Sequence, residues 1–120
     1  MGHFVSIRGW IECEEGDIIF IKEIMDNFCR NYTKHFIKEE TKKLYQKGWQ
    51  IPNEFINWSA YIFYGADIRE YHTDFIKDQI IAIAASNKEI EGYFHVDDDE
   101  GNIKVSWKLY KGELIVSERK

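Results

Sequence analysis

Residues 4–13 have the sequence FVSIRGWIEC, and apolar and polar side chains alternate along them with a period of two. Such alternation is typical of a β-strand that has one face against a core. The more apolar face, which we predict to be the core face, carries Val5, Ile7, Ile11 and Cys13. The opposite face carries Phe4, Ser6, Arg8, Trp10 and Glu12. We therefore predict a strand whose two faces have different surroundings.

Two amphipathic helices are predicted after this strand. Asp17 is expected to cap the first, which runs from Ile18 to about Lys34 on an apolar stripe with helical spacing. The second is expected to start at the sequence DIRE, residues 67–70, which has the pattern of a capping box, and to end near Ser86 and Asn87. Between them, residues 35–48 predict a short, mostly solvated helix that Gly48 ends. Its thin apolar stripe consists of Phe36, Ile37, Leu44 and Tyr45.

Four further segments predict strands. Residues 57–64 are apolar on both faces, which favours a central position in the sheet. Residues 91–96, 103–110 and 113–117 follow one another across short turns, which predicts a β-meander. The resulting order, β-α-(α)-β-α-β-β-β, predicts a single α+β domain over residues 1–120. We expect a two-layer sandwich in which the helices cover one face of a mostly antiparallel sheet of about five strands.

The composition limits the classes of function. The 120 residues include 16 basic and 21 acidic side chains, and the net charge of −5 argues against a nucleic-acid partner. RNA bases could stack on aromatic side chains of an open sheet, as they do in RNA-recognition domains, but the chain lacks the sequence motif of those domains. Every apolar run is far shorter than the ~20 residues of a membrane span. With no targeting signal, we expect a cytoplasmic protein with Cys13 and Cys29 reduced.

No motif in the sequence identifies a reaction. The chain has no nucleophile elbow, Walker loop or dinucleotide-binding glycine motif, and both cysteines fall at core-facing positions. His95 and Asp97 share a strand face, but two ligands do not make a zinc site. A calcium loop starting at Asp97 fails, because position 6 is Asn102 and position 12 is Lys108. We therefore expect no catalytic residues, no metal and no cofactor.

Two acidic patches are candidate contacts for a basic protein partner. The first occupies a predicted turn and consists of Asp97, Asp98, Asp99 and Glu100. The second lies between the first strand and the first helix and consists of Glu12, Glu14, Glu15 and Asp17. Adjacent carboxylates create a negative field that steers a basic partner towards them. The sequence does not choose between the two patches.

The second face of the sheet supplies an alternative set of anchors. If the core assignments hold, the following side chains point away from the core: Arg8, Trp10, Tyr93, His95, Lys104, Lys108 and Tyr110. Tryptophan, tyrosine and arginine dominate the energetics of protein interfaces. Two alternatives remain open. Either this face is exposed and binds a partner, or the middle helix or residues 35–56 cover it and form a second small core.

The segments FVSIRGWIEC at 4–13 and YIFYGADIRE at 61–70 resemble the small immunity proteins of bacterial polymorphic and contact-dependent toxin systems, as do the small size, acidic balance and strand–helix order. The resemblance implies a stoichiometric inhibitor, not an enzyme. Such a protein forms a one-to-one complex with a cognate toxin, often a basic nuclease, and blocks its active site or substrate path. Acidic side chains would pair with the toxin's Lys and Arg and speed association, and buried aromatics would slow release.

Two other classes of function compete with this hypothesis. An enzyme with carboxylate or histidine chemistry predicts a concave pocket that holds at least two titratable groups with shifted pKa values. A regulatory domain that associates with itself predicts a homodimer through the aromatic face of the sheet.

Overall fold

In the computed structural model, which describes residues 3–119, six strands and three helices follow one another along the chain. The strands are β1 (Phe4–Glu14), β2 (Trp49–Gln50), β3 (Ser59–Arg69), β4 (Glu91–Asp98), β5 (Lys104–Tyr110) and β6 (Glu113–Glu118). The helices are α1 (Ile18–Asn31), α2 (Glu39–Gln46) and α3 (Thr73–Ser86). Within residues 3–119, none of the helices is both long enough and apolar enough to cross a membrane.

All six strands form one antiparallel sheet in the order β2-β3-β1-β4-β5-β6, which confirms the predicted α+β class. β1 lies near the middle and pairs with β3 along its whole length and with β4 on its other side. The sheet has one strand more than predicted, because β2 spans only Trp49 and Gln50. A two-residue strand is too short to produce a periodic pattern in the sequence.

The hydrophobic core lies between the helices and one face of the sheet. All four residues assigned to the core face of β1 are buried, as predicted. They belong to one cluster with apolar side chains of the helices: Ile21 and Met25 of α1, and Phe75, Ile76, Ile80 and Ile83 of α3. Burial of these side chains is the dominant favourable term in folding.

The capping box predicted at residues 67–70 is wrong, because β3 continues to Arg69. Ile68 fits the alternation of a strand as well as the stripe of a helix, and in the structure it pairs with Val5 and is fully buried. The carboxylate of Asp67 accepts a hydrogen bond from the Ser6 hydroxyl across the same strand pair. A 3₁₀ turn follows, so α3 begins only at Thr73. Its end at Ser86 is as predicted.

Asp17 also has a different role from the predicted one. It lies in a 3₁₀ turn, and its side chain makes no capping hydrogen bond to α1. Instead, Oδ2 accepts a hydrogen bond from the Glu14 amide at 3.0 Å, and Oδ1 accepts one from Asn87 Nδ2 at 3.1 Å. Asp17 therefore ties the start of α1 to the segment after α3. The helix ends at Asn31, earlier than predicted.

The short helix predicted within residues 35–48 is α2. Its apolar stripe is only partly correct, since Ile37 and Tyr45 are buried whereas Phe36 and Leu44 are exposed. Nε2 of Gln46 donates hydrogen bonds to the Met25 backbone oxygen at 3.0 Å and to Gln79 Oε1 at 2.9 Å. These bonds fasten α2 to α1 and α3, on the helical side of the sheet.

Candidate functional site: the open sheet face

The face of the sheet opposite the helices, which we call the open face, carries a row of large side chains. Strand pairing places one residue of each strand in this row, from β2 to β6: Gln50, Phe63, Trp10, Tyr93, Lys108 and Ile115. Phe63 is 51% exposed and Trp10 is 38% exposed. A sheet face with this much apolar surface in contact with water is unusual for a domain whose other face is a full core.

Residues 35–56 do not cover the open face. The hydroxyl of Tyr64, on the core face of β3, donates a hydrogen bond to the Tyr45 backbone oxygen at 2.7 Å. Trp49 is buried against Tyr64, with ring centroids 4.8 Å apart, and Ile51 and Phe55 pack against the same core cluster. Most of the segment therefore lies on the helical side of the sheet, and only Gln50 of β2 and residues 52–56 reach the margin of the open face. Of the two alternatives left open by the sequence, the one with a second small core is wrong.

The structure brings together the four anchor residues that the sequence placed on this face. Trp10 lies directly opposite Tyr93, and Arg8 lies directly opposite His95. The Tyr93 and His95 rings meet edge to face at 5.2 Å, and the Tyr93 hydroxyl is hydrogen-bonded to Ser106 Oγ at 2.7 Å. These contacts hold the aromatic rings in fixed positions before any partner arrives.

Three residues of the open face were missed by the sequence analysis. Tyr61 and Phe63 project from β3, and Tyr61 meets Trp10 edge to face with centroids 6.3 Å apart. Ile115 projects from β6 and is 42% exposed. The signal for the first two was present, because residues 57–64 were apolar on both faces. A strand buried on both faces was expected, but β3 is buried on one face and exposed on the other.

The predicted acidic turn is largely engaged within the chain, and its first two residues, Asp97 and Asp98, are the last two residues of β4. Asp97 lies on the open face, and its Oδ2 accepts a hydrogen bond from Arg8 Nη2 at 2.7 Å. It also forms an ion pair with Arg119. Asp98 Oδ1 accepts a hydrogen bond from the Ile103 amide at 2.9 Å, which closes the turn. Glu100 lies 3.0 Å from His3 Nδ1, and Asp99 is exposed. Only part of this predicted patch is therefore available to a partner.

The second acidic patch has more free charge. Glu12 lies on the open face, directly opposite Glu91 of β4 and Tyr61 of β3. Glu14 and Glu15 are exposed on the turn that follows. Within residues 3–119, none of the four carboxylates of this patch forms an ion pair with a basic side chain; they belong to Glu12, Glu14, Glu15 and Asp17. Two carboxylates directly opposite each other on neighbouring strands repel, so Glu12 and Glu91 favour an added cation.

A groove of about 560 Å³ lies at this acidic end of the open face. Its lining includes two carboxylates and several aromatic rings: Glu12, Glu54, Phe55, Trp58, Tyr61 and Phe63. Trp58 is 81% exposed. The sequence analysis did not find this groove, because its walls come from β1, β3 and the irregular segment before β3, which only the fold brings together.

Histidine and carboxylate side chains also meet on the helical side. His35 Nε2 lies 3.0 Å from Asp74 Oδ2, Lys34 Nζ lies 3.4 Å from Asp74 and Asp78, and the Tyr45 hydroxyl lies 3.1 Å from His72 Nδ1. Burial lowers the pKa of His72, and the positive charge of Arg69 lowers it further. The Lys34 and His35 pairs fasten the segment after α1 to α3, and the Tyr45–His72 contact fastens α2 to the turn before α3.

Acid is expected to destabilise the protein through Asp97 and Asp74. Burial alone would raise the pKa of Asp97, but hydrogen bonds from Arg119 and Arg8 outweigh it and hold the pKa below its ordinary 3.8. A hydrogen bond from His35 likewise lowers the pKa of Asp74. A lowered folded-state pKa contributes stability that is fully present above the unfolded-state pKa and is lost as the pH falls through the folded-state one. Urea unfolding between about pH 5 and about pH 2 measures this loss. Asp97→Asn should show a shallower decline, and parallel curves would contradict the assignment.

The thiols and one exposed cluster are the remaining groups with reactive side chains. Cys13 is buried, and burial, with smaller effects of Asp17 and Glu12, raises its pKa to about 11, so its thiolate is suppressed. His3, Asp99 and Glu100 place potential metal ligands within 4.8 Å of one another, but all three are exposed. Asp97, which shares a strand face with His95, forms ion pairs with Arg8 and Arg119.

Comparisons with known proteins identify no relative. The chain matches no protein-family model, no curated protein sequence and no solved structure. The class of the protein therefore follows from its fold and site: it is an α+β domain whose antiparallel sheet is covered by helices on one face and presents aromatic side chains on the other.

Proposed function

We propose that the protein is an immunity protein that neutralises a cognate toxin by forming a stoichiometric complex through the open face. The inhibitor catalyses nothing and takes no cofactor. It acts by covering the active site or the substrate path of the toxin, which is a basic protein such as a nuclease. The two proteins bind in a one-to-one ratio, and the complex forms in the cytoplasm. The resemblance of residues 4–13 and 61–70 to immunity proteins supports this proposal.

The observation that carries the proposal is that no other segment within residues 3–119 covers the aromatic row, by which we mean Phe63, Trp10 and Tyr93 in the middle of the open face. Trp10, Phe63 and Tyr93 are neighbours on a six-stranded sheet, so they form a rigid surface that loses little conformational freedom on binding. Large aromatic side chains near the centre of an interface supply most of its binding free energy.

The basic character of the partner is argued from the acidic end of the open face. Glu12 and Glu91 repel each other in the free protein, and a lysine or arginine of the partner relieves this repulsion when it binds between them. The groove beside them combines carboxylates with the rings of Trp58 and Tyr61. Aromatic faces and carboxylates together favour a guanidinium group, through cation–π contact and paired hydrogen bonds. The groove is thus suited to an arginine side chain of the toxin.

The proposal is tested by capture and rescue. The tagged protein is incubated with lysate of the source organism, and proteins that elute in denaturant are identified by mass. We expect a basic protein that stops growth when expressed alone and is rescued by co-expression of this chain in equal amount. A captured protein that is harmless when expressed alone would contradict the proposal, as would rescue by a substoichiometric amount of inhibitor.

Charge reversal at the acidic end is expected to slow association with the toxin. The double change Glu12→Lys and Glu91→Lys removes the field that attracts basic groups, and the on-rate at low salt should fall about 10-fold or more. The matched control, Glu39→Lys with Glu40→Lys, makes the same change of charge at exposed positions of α2, on the helical side. Stopped-flow association at two salt concentrations measures both. Equal slowing by the two variants would mean that net charge alone, and not this site, steers the toxin.

A further inference from the structure

β6 is a regular strand at the margin of the sheet, and one of its edges has no neighbouring strand within residues 3–119. The Arg119 amide donates a hydrogen bond to the Lys104 backbone oxygen at 2.8 Å. This bond shows which backbone groups of β6 face β5 and which face away from it. Antiparallel strands alternate, so the amides and carbonyls of residues 113, 115 and 117 also face β5. Those of Leu114, Val116 and Glu118 point outwards, where another strand can bond to them.

The side chains on this edge give it little protection. Val116 is 48% exposed and Ile115 is 42% exposed. Sheet edges are usually protected by proline, charged side chains or a bulge; residues 113–118 contain no proline and no lysine, and their two charged residues, Glu113 and Glu118, lie at the ends of the strand. The opposite margin of the sheet is β2, whose two residues offer almost nothing to pair with. The sheet can therefore be extended at β6.

We propose that β6 pairs antiparallel with β6 of a second copy of this chain, about a two-fold axis at Val116. In this register Val116 lies opposite itself, and Leu114 lies opposite Glu118 in both directions. Every outward amide and carbonyl of β6 then exchanges hydrogen bonds with the second copy, since these are bonding positions of an antiparallel ladder. Moving the axis by one residue to 115 or 117 leaves one of the three outward residues without a partner within β6.

The strand that pairs with the edge of β6 is β6 of a second copy, because the charges along two such edges match when they run antiparallel. About the axis at Val116, Glu113 lies opposite Arg119, and no carboxylate lies opposite another carboxylate. The exposed Val116 side chains cover each other on the helical side. A closed two-fold interface of this kind uses the same edge on both chains, so the dimer cannot grow into a filament. Both open faces stay free on the same side of the joined sheet, and each can hold one partner.

Sedimentation of the whole chain over a wide range of concentration tests this assignment. Wild-type protein is expected to pass from monomer to dimer as its concentration rises. Val116→Pro removes an outward amide that β5 does not use, so the variant should sediment as a monomer at concentrations where wild type is a dimer. Val116→Thr keeps the amide and a β-branched side chain, and it should dimerise as wild type does. A second blocking variant, Val116→Lys, places two like charges at the axis.

Edge pairing and association through the aromatic face predict different sedimentation results. A wild-type monomer at the highest concentration would overturn the proposal, and so would a dimer that survives in both Val116→Pro and Val116→Lys. Association through the aromatic face would be lost in Trp10→Ala and retained in the Val116 variants, which would also overturn it. Far-ultraviolet circular dichroism shows that each variant is folded. The test needs no toxin, so its result is independent of the proposed function.

Discussion

Replacement of Gly9 by alanine is expected to destabilise the protein by about 3 kcal/mol or more, at the upper end of what overpacking usually costs. Gly9 lies at the centre of β1 and pairs with Tyr64 on one side and Phe94 on the other. A Cβ atom there would lie 2.1 Å from the Tyr93 backbone oxygen and 2.6 Å from Phe94 Cα. Both contacts are with backbone atoms, which cannot rotate away as a side chain does. Urea unfolding measures the loss as a lower midpoint.

Gly65→Ala is the matched control, because Gly65 lies on the neighbouring strand β3 directly opposite Arg8. No heavy atom of the surroundings lies within 4 Å of a Cβ at Gly65. Since alanine restricts the unfolded chain, this change should be neutral or stabilise by up to about 1 kcal/mol. A similar loss of stability in both variants would show that glycine in a strand, and not the close approach of β1 to β4, is what matters at Gly9.

Replacement of Trp10 by alanine is expected to weaken toxin binding by about 30- to 1,000-fold, the range of an interfacial hot spot. Trp10 lies near the middle of the aromatic row, between Phe63 and Tyr93, and its ring also contacts Tyr61. Truncation removes the largest contact at the centre and leaves its neighbours without support. The ring is 38% exposed in the free protein, so its truncation should lower the stability of the free protein as well as its affinity for the toxin. Calorimetry of the complex and urea unfolding of the free protein separate the two effects.

The control for Trp10→Ala is Phe20→Ala on α1. Phe20 is 60% exposed and lies on the helical side, so its loss removes a comparable aromatic side chain from the opposite surface. We expect no change in affinity. If Phe20→Ala weakened binding and Trp10→Ala did not, the contact surface would lie on the helices. The candidate site would then be the groove that Phe20, Ile24 and Phe28 of α1 line together with Ala82 of α3.

Those parts of the fold with a long, regular period were predictable from the sequence. The two faces of β1 were assigned correctly because its alternation continues without a break over ten residues. α1 and the β-meander followed from the same kind of signal. The start of α3 was misplaced because Ile68 satisfies both periods, and only its pairing with Val5 decides between them. β2 left no signal, because two residues define no period.

The candidate site was predictable only where it depends on a single strand. Arg8, Trp10, Tyr93 and His95 were placed on the right face from alternation alone. Whether that face is covered depends on where residues 35–56 pack, which is a tertiary property. The ion pairs of Asp97 were not predictable for the same reason, since Arg119 and Arg8 reach it from distant parts of the sequence. The groove, built from three segments, had no linear signature.

The most direct test of the open face as the docking surface is a parallel capture with three baits. Wild-type protein, Trp10→Ala and Phe20→Ala are immobilised at equal density, exposed to the same lysate of the source organism, and compared by quantitative mass spectrometry. We predict that wild type and Phe20→Ala retain the same basic toxin in equal amount, whereas Trp10→Ala loses nearly all of it. Equal retention of that toxin by all three baits would contradict the assignment of the open face.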